Sequence, residues 1–433
     1  MRVIVVGGGI AGVATAYWLY RQGIQVSLVE RHATVAQEAT LGHSGLVLPG
    51  PLDAGVHPGS LPGISGAHRG GLLSTLFRSS IHADQHDLAM RTAGQQLAHF
   101  ALQYLRLKPL IAFAKSTLDE MQSHHAIAYE KQSGALHLFR KPEALQCAKE
   151  ALLLLTQQRY PHRLLTMDDC LTLEPALSHE SFAGGILMPD VQSANCPLFA
   201  KQLKRILVEG GVQLFLEHEA INIQIEETGV HVACLPRKAE SVSAIAPCTE
   251  TLVADAVVLA SGAGSQALLE RAGVQLPLHL VRCSALTAPI ADEEAAPQSA
   301  LIDTIEQTTL MRAGRRMRFA SAPAIFKKLC KTEQQRKCQE AIFDKMKQTA
   351  LGWVPGAVRL SAAHHQDHIR LLSQDGLPIV GCCRDRLFVN MAHGSAGWAL
   401  ACGSARFLAQ LISDHKPALD DDMSAMLSPG RFT

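Results

Sequence analysis

The stretch Met1 to Glu30 constrains this chain more than any other, because it reads as strand, glycine turn, helix and second strand in one unbroken unit. Arg2-Val3-Ile4-Val5-Val6 is apolar and β-branched, the composition of a parallel strand covered on both faces. It runs into Gly7-Gly8-Gly9-Ile10-Ala11-Gly12, which satisfies G-x-G-x-x-G with glycines at 7, 9 and 12. A helix from Ala11 to Gln22 follows, Gly23 breaks it, and Val26 to Val29 forms a strand ending at Glu30.

Each residue type has a physical task there. Gly7 permits the tight turn, Gly9 lets a pyrophosphate approach the backbone, and Gly12 lets helix and strand pack closely. Ile10 and Ala11 lie at the helix N-terminus, where free N–H groups and roughly half a positive charge face the phosphates. Glu30, followed by Arg31, stands at the tip of the second strand, where a carboxylate can accept ribose hydroxyls bidentately.

The rest of the chain must be large enough to complete such a fold. At 433 residues and 47% hydrophobic content it supports two or three domains with sizeable cores. A net charge of +1 gives no electrostatic basis for nucleic-acid binding. The eleven cysteines show neither metal nor disulfide spacing and read as thiols in a reducing compartment. The first strand begins at residue 2 and no apolar run is long enough to span a bilayer, so the expected location is the cytoplasm. Gly71 to Arg78 reads as a buried helix; the alternative is an amphipathic patch for peripheral contact with the inner face of the cell membrane.

After Glu30, residues Gln37 to Gly50 are small and glycine-punctuated, suited to lying against a flat cofactor, and an irregular Pro/Gly/His-rich loop extends to about Ser80. Helical periodicity runs from Asp84 to Ile127, with Leu97, Phe100, Ala101, Tyr104 and Leu105 on one face and a new helix from Pro109. Ala135–Phe139 and Gly185–Met188 read as strands and Pro142–Gln158 as a helix, an α+β block inserted into the nucleotide fold. Asn195 caps a helix from Cys196 to Glu209 with Pro197 in its first turn, and Val212–Leu216 returns to the sheet. Ala220–Glu226 and His231–Leu235 form a strand pair, with a polar loop from Pro236 to Thr251. Asp255 to Gly264 is a second buried strand entering a glycine turn. Short strands between Val281 and Ser321 and a helix from the capping box Thr332-Glu333-Gln334-Gln335 return to the inserted block.

The C-terminal end repeats the opening theme. Leu387–Asn390 is a strand, and His393-Gly394-Ser395-Ala396-Gly397-Trp398 is a glycine turn opening the last helix. Two glycine-rich strand-to-helix turns suit a cofactor with two distant polar parts, a pyrophosphate and an isoalloxazine ring, which favours FAD over NAD. His364, His365 and His368 have no acidic or cysteine partner, so no metal site is expected.

On these residues the chain resembles the FAD-dependent D-amino acid oxidase superfamily, and within it the small, catalytic subunits of bacterial D-amino acid dehydrogenases. The resemblance rests on the N-terminal fingerprint, Glu38 to Gly50, Gln132 to Arg140, Asn195 to Phe199, Ala288 to Glu293, Asp375 to Gly381 and His393 to Gly403. It implies a glutathione-reductase-like Rossmann domain for FAD (1–83, 190–275 and 365–433) and a substrate domain on an antiparallel sheet (84–189 and 276–364). It also implies oxidation of a D-amino acid by hydride transfer to flavin N5, hydrolysis of the imine to a 2-oxo acid and ammonia, and electron delivery to a membrane quinone.

Carried over by position, Ala220 gives backbone contacts to the adenine, and Gly262 lies beside the dinucleotide. Ser44 and Gly45 lie along the flavin, and Gly394, Ser395 and Gly397 approach the pyrimidine edge of its ring. Arg370, five residues before Asp375, takes the substrate carboxylate with its planar fork. His43, where the family commonly has asparagine, is open to covalent attachment to the flavin or to packing on it, and packing is preferred. The substrate half departs further: Gln366, His368 and Leu371 replace the tryptophan, glycine and proline usual around that arginine. Two alternatives therefore stand beside the leading one. The first is oxidation of another amine, such as glycine, a proline-type imino acid or an N-methyl amino acid. The second is a flavin-binding subunit that depends on a partner.

Overall fold

The computed structural model describes residues 1–47, 106–157, 159–237, 249–306, 308–321, 324–325 and 332–432. In chain order the first elements are β1 (Arg2–Val6), α1 (Ile10–Arg21), β2 (Gln25–Glu30), α2 (106–125), β3 (Gln132–Phe139) and α3 (Pro142–Gln157). Next come β4 (Arg163–Leu165), α4 (Met167–Leu173), β5 (Gly184–Ser193), α5 (Cys196–Glu209), β6 (Gln213–Leu216), β7 (His218–Glu226), β8 (Gly229–Pro236) and β9 (Glu250–Ala254). They are followed by β10 (Ala256–Leu259), α6 (Ser265–Arg271), β11 (Leu278–Pro289), β12 (Ala300–Asp303), β13 (Thr308–Ala313), β14 (Arg316–Ser321) and β15 (Ala324–Ile325). The chain ends with α7 (Thr332–Trp353), β16 (His364–Ser373), β17 (Ile379–Arg384), β18 (Leu387–Met391), α8 (Gly397–Ile412) and α9 (Asp421–Leu427).

A six-stranded sheet in the order β17-β18-β10-β1-β2-β6 carries the N-terminal unit. All its pairs are parallel except β17 with β18. The pleat of β1 explains why the strand is apolar throughout. Val3 and Val5 pack in the core built with α1, α5 and α8, whereas Ile4 and Val6 pack on the opposite side with Ile223, Val230 and Val232 of β7 and β8. Strands β7, β8 and β9 form their own antiparallel sheet. α5 starts as its sequence requires: Leu198 N–H donates to Asn195 Oδ1, and Pro197 occupies the first turn.

The other large sheet has nine strands, ordered β15-β11-β14-β13-β12-β3-β5-β4, with β16 on the second edge of β11. Its pairs are antiparallel apart from β12 with β3. β11 is the axis of this sheet. It pairs β16 from Leu278 to Thr287 and meets β14 and β15 on its other side. In that register Val281 opposes Arg370, Cys283 opposes His368, and Thr287 opposes Arg318. Because these β11 positions differ by even numbers, the side chains of Arg370, His368 and Arg318 share one face. The polar β16 and the short β4, α4 and β12 are absent from the sequence reading; residue 365, a boundary in that reading, falls inside β16.

The residues from 48 to 105, including Gly71 to Arg78 and the face from Leu97 to Leu105, lie outside the described residues, as do 238–248 of the polar loop and the side chains of the Thr332 capping box. Among the described residues no helix is long and apolar enough to cross a membrane.

The C-terminal residues clip back onto the turn after β16. Arg431 donates to both oxygens of Asp375 at 2.7 and 3.1 Å and to the carbonyls of Leu377, Leu427 and Ser428. The Arg431 bonds and charge hold the Asp375 carboxyl below its ordinary value, against the opposing effect of burial. A group depressed on folding stabilises the fold above its unfolded value, about 3.9, and loses that contribution as pH falls through the folded value. Arg431→Met should therefore lower the urea midpoint at pH 7, with the gap from the wild type closing below about pH 4. A gap that does not change with pH would assign the loss to packing alone.

Candidate active site

All the sequence-derived contact positions except Gly12, Ser44, Gly45 and Ser395 line one cavity of about 430 Å³, a size typical of small-molecule sites. The cavity lies where β1, β10 and β18 end and α1, α6 and the turn before α8 begin. Its shape follows from three glycines. Gly7 has φ +112°, and a side chain there would meet the Ser261 backbone at 2.6 Å. A β-carbon on Gly12 would lie 1.8 Å from the Gly7 carbonyl oxygen, so its role is the approach of α1 to β1, away from the cavity. Gly9 meets no protein atom closer than 3.4 Å and lines the cavity. Its missing side chain thus leaves room for something other than protein.

The helix N-terminus is prepared for an anion but not left bare. Ile10 N–H donates to Thr40 Oγ1 at 3.0 Å, and Gly8 N–H donates to Glu30 Oε2 at 2.6 Å. Glu30 Oε1 accepts His32 N–H at 2.9 Å. Burial raises the Glu30 carboxyl above its ordinary value, and these two backbone bonds oppose the rise. Each oxygen retains acceptor capacity toward the cavity. Arg31 turns to Glu38, which also takes the His32 ring, and reaches Glu219 at 3.7 Å. Ala220 and Gly262 lie at this end of the wall, with Arg271, which bonds the Ile221 carbonyl.

Asn390 of β18, fully buried, joins this turn to the C-terminal one by donating from Nδ2 to Thr15 Oγ1 of α1 at 2.9 Å. His393, Gly394 and Gly397 follow on the cavity wall. Gly397 has no atom within 4 Å of where a β-carbon would sit, a second open position. Burial brings the His393 ring down to about 4, and its Nε2 pairs with Ser404 Oγ at 2.9 Å.

The third wall is the charged face of the nine-stranded sheet, against which residues 42–45 pack. A β-carbon on Gly42 would meet the His368 ring at 1.9 Å, and one on Gly45 would meet Met311 Sδ at 1.6 Å. Arg370 is only 9% exposed; its Nη2 donates to the Gly42 carbonyl at 3.3 Å and sits 3.4 Å from His368 Nε2. A guanidinium only donates, so Nε2 accepts and the neutral His368 ring carries its proton on Nδ1. Arg318, 5% exposed, donates from Nη1 to the His43 carbonyl at 3.4 Å. Gly45 N–H donates to His43 Nδ1, placing that ring's proton on Nε2. Burial first, then the charges of Arg370 and Arg318, hold His43 well below its ordinary value and bring His368 down to about 3. Of these four groups His43 and Arg370 line the cavity, while His368 packs on Gly42 and Arg318 on the His43 carbonyl immediately behind that wall. Neither arginine makes an ion pair with a carboxylate among the described residues.

Sequence reasoning missed Thr40, Asn390 and Arg318. Thr40 lies in an irregular segment with no periodic signal, and Arg318 sits on a strand where a charge reads by default as solvent-facing.

A profile of FAD dependent oxidoreductases matches residues 2–411. The chain is 29% identical over 445 residues to a D-amino acid dehydrogenase of Rhizobium rhizogenes, covering 100% of both, and 29% identical over 436 residues to one of Methylobacterium nodulans, covering 98% of both. Among solved structures it is similar to glycine oxidase from Geobacillus kaustophilus, with TM-score 0.67, 20% identity and coverage of 100% of this chain and 98% of that one. It is also similar to L-proline dehydrogenase from P. horikoshii, with TM-score 0.66, 14% identity and coverage of 100% and 97%.

Thr40→Val keeps the side-chain shape and removes the acceptor for the buried Ile10 N–H. The apoprotein should lose about 1–3 kcal/mol in urea unfolding. An unchanged midpoint would show that this N–H needs no protein acceptor.

Proposed function

The chain belongs to the FAD dependent oxidoreductase family, and from that premise we propose that it oxidises D-amino acids to 2-oxo acids and ammonia. The carrying observation is Arg370, a buried guanidinium on the wall of the cavity with no carboxylate paired to it among the described residues. Such a charge costs several kcal/mol to bury unless an anion meets it. A substrate carboxylate meets that need bidentately.

The residues fit FAD. Gly9 and Gly397 leave open positions on the two helix-opening turns, and Glu30 retains acceptor capacity between main-chain donors. On this reading the backbone of Gly7, Gly9, Ile10 and Ala11 holds the pyrophosphate, Glu30 the ribose and Ala220 the adenine side. His43, Ser44, Gly45, Gly262, Gly394, Ser395 and Gly397 surround the remainder. FAD, when bound, supplies the two-electron acceptor for the hydride of the substrate Cα–H bond. The six- and three-stranded sheets then belong to the cofactor domain and the nine-stranded sheet to the substrate domain, so that the boundaries drawn at 190 and 365 move to the ends of β5 and β16.

The protein's own part is orientation and electrostatics. Arg370 fixes the carboxylate and so the direction in which the Cα–H bond points. The burial and positive charge that together keep His43 and His368 neutral also disfavour an ammonium, and a neutral amine has a lone pair to share with the carbon losing hydride. The product imine gains water and releases ammonia without help from a named acid or base. On this reading the electrons pass on to a quinone-type acceptor; the relatives are named dehydrogenases, not oxidases.

Arg370→Met should weaken carboxylate substrates by roughly 100-fold in kcat/KM while the bound flavin spectrum persists. Unchanged kinetics would remove Arg370 from the site. Anaerobic titration with D-amino acids, glycine, proline isomers and sarcosine reads the substrate class directly. Bleaching by glycine, proline or sarcosine alone would replace the D-amino acid reading, and no bleaching would favour a partner-dependent flavin subunit.

A further inference from the structure

Arg370 accounts for one buried positive charge; Arg318 is a second that the reaction above does not use. It projects from β14 on the same face as Arg370, and the two arginines bond the carbonyls of consecutive residues, Gly42 and His43. Adjacent α-carbons lie about 3.8 Å apart, so both cations converge on one short piece of chain.

The contacts of Arg318 are poor for a structural role. Its Nη1 reaches the His43 carbonyl at 3.4 Å and its Nε reaches Thr287 Oγ1 at 3.5 Å, both at the limit of a hydrogen bond. A guanidinium has five donors, and Nη2 makes no hydrogen bond among the described residues. The carboxylate whose charge it feels, Glu130, takes Asn195 Nδ2 at 2.8 Å and forms no ion pair with it. Arg140, by contrast, shows how this fold satisfies an arginine it needs for structure: it donates twice to the buried Asp303 and lies over the Trp353 ring. Arg318 has neither.

Resting on the amino-acid reading above, we propose that Arg318 is the subsite for a second carboxylate, so that the preferred substrate is a dicarboxylic amino acid. Arg370 takes the α-carboxylate and Arg318 the side-chain carboxylate. Two guanidinium groups without counter-charges among the described residues are thereby each paired on binding. His368, held neutral between them, adds a buried Nδ1–H donor with no partner among the described residues. A neutral side chain in the same place would leave the second cation uncompensated, which is how a site built for charge rejects an isostere.

The test uses the FAD-loaded enzyme under anaerobic conditions. Reduction of the flavin at low substrate is compared for D-glutamate and D-aspartate against D-glutamine and D-norvaline. The acids should be favoured by ~10-fold or more, the size expected of one charge-assisted pair. In Arg318→Met that acid-to-neutral ratio should fall toward one, and Arg318→Lys should retain part of it. A wild-type ratio of one or less, or a ratio that survives Arg318→Met, overturns the subsite. Perturbation of the wild-type flavin spectrum by glutarate against butyrate is a separate readout needing neither variant nor turnover. Glutarate should bind ~10-fold tighter, and equal affinities overturn the subsite. If no amino acid bleaches the flavin, the oxidative reading fails, and the glutarate comparison still decides whether two carboxylates are bound.

Discussion

The approach of α1 to the end of β1 is so close that no side chain fits between them, and the cavity depends on it. With a β-carbon on Gly12 only 1.8 Å from the Gly7 carbonyl, any other residue would push the helix off the strand. That displacement would carry with it the bond from Ile10 N–H to Thr40 and the pairing of Asn390 with Thr15. The parallel register of β1 with β2 and β10 supplies the rigid base, since each residue of β1 after Arg2 is buried. A steric limit at one glycine thus positions groups from three distant parts of the chain.

On the far side of the cavity the governing quantity is charge. Four buried titratable groups, His43, Arg318, His368 and Arg370, share a region in which the described residues pair none of the cations with a carboxylate. The imidazoles respond by staying neutral, which limits the unfavourable charge to the two arginines. Arginine cannot respond in that way, because its deprotonation lies outside the accessible range. The imbalance is therefore built in, and it is the chemical reason for expecting an anionic substrate.

How much of this is visible in the sequence depends on the range over which each feature is determined. The turn from Gly7 to Gly12, the Asn195 cap and the glycine turn before α8 are dictated by a few adjacent residues, and each is found where the residue types demand. Strand β16 is different. Its first residues, His364 to Asp367, are polar with no exposed-buried alternation, and its ten-residue pairing with β11 is set by tertiary context. Arg370 was legible only through resemblance. Arg318 was not, since nothing local distinguishes an inward-facing arginine on a strand from an outward-facing one. Thr40 acts on a helix it is not part of, across a stretch without period, and has no local signature at all.

The bond between Asn390 and Thr15 spans 375 positions of sequence. Its consequence concerns the order in which the protein is made. The fingerprint that begins the pocket leaves the ribosome well before β18 and Gly397, which close it. At about 5–20 residues per second, the N-terminal turn waits roughly 20–80 s for its opposite wall. Cofactor capture thus waits until β18 and Gly397 have been made, and the exposed strands of the parallel sheet must be kept from wrong partners until then.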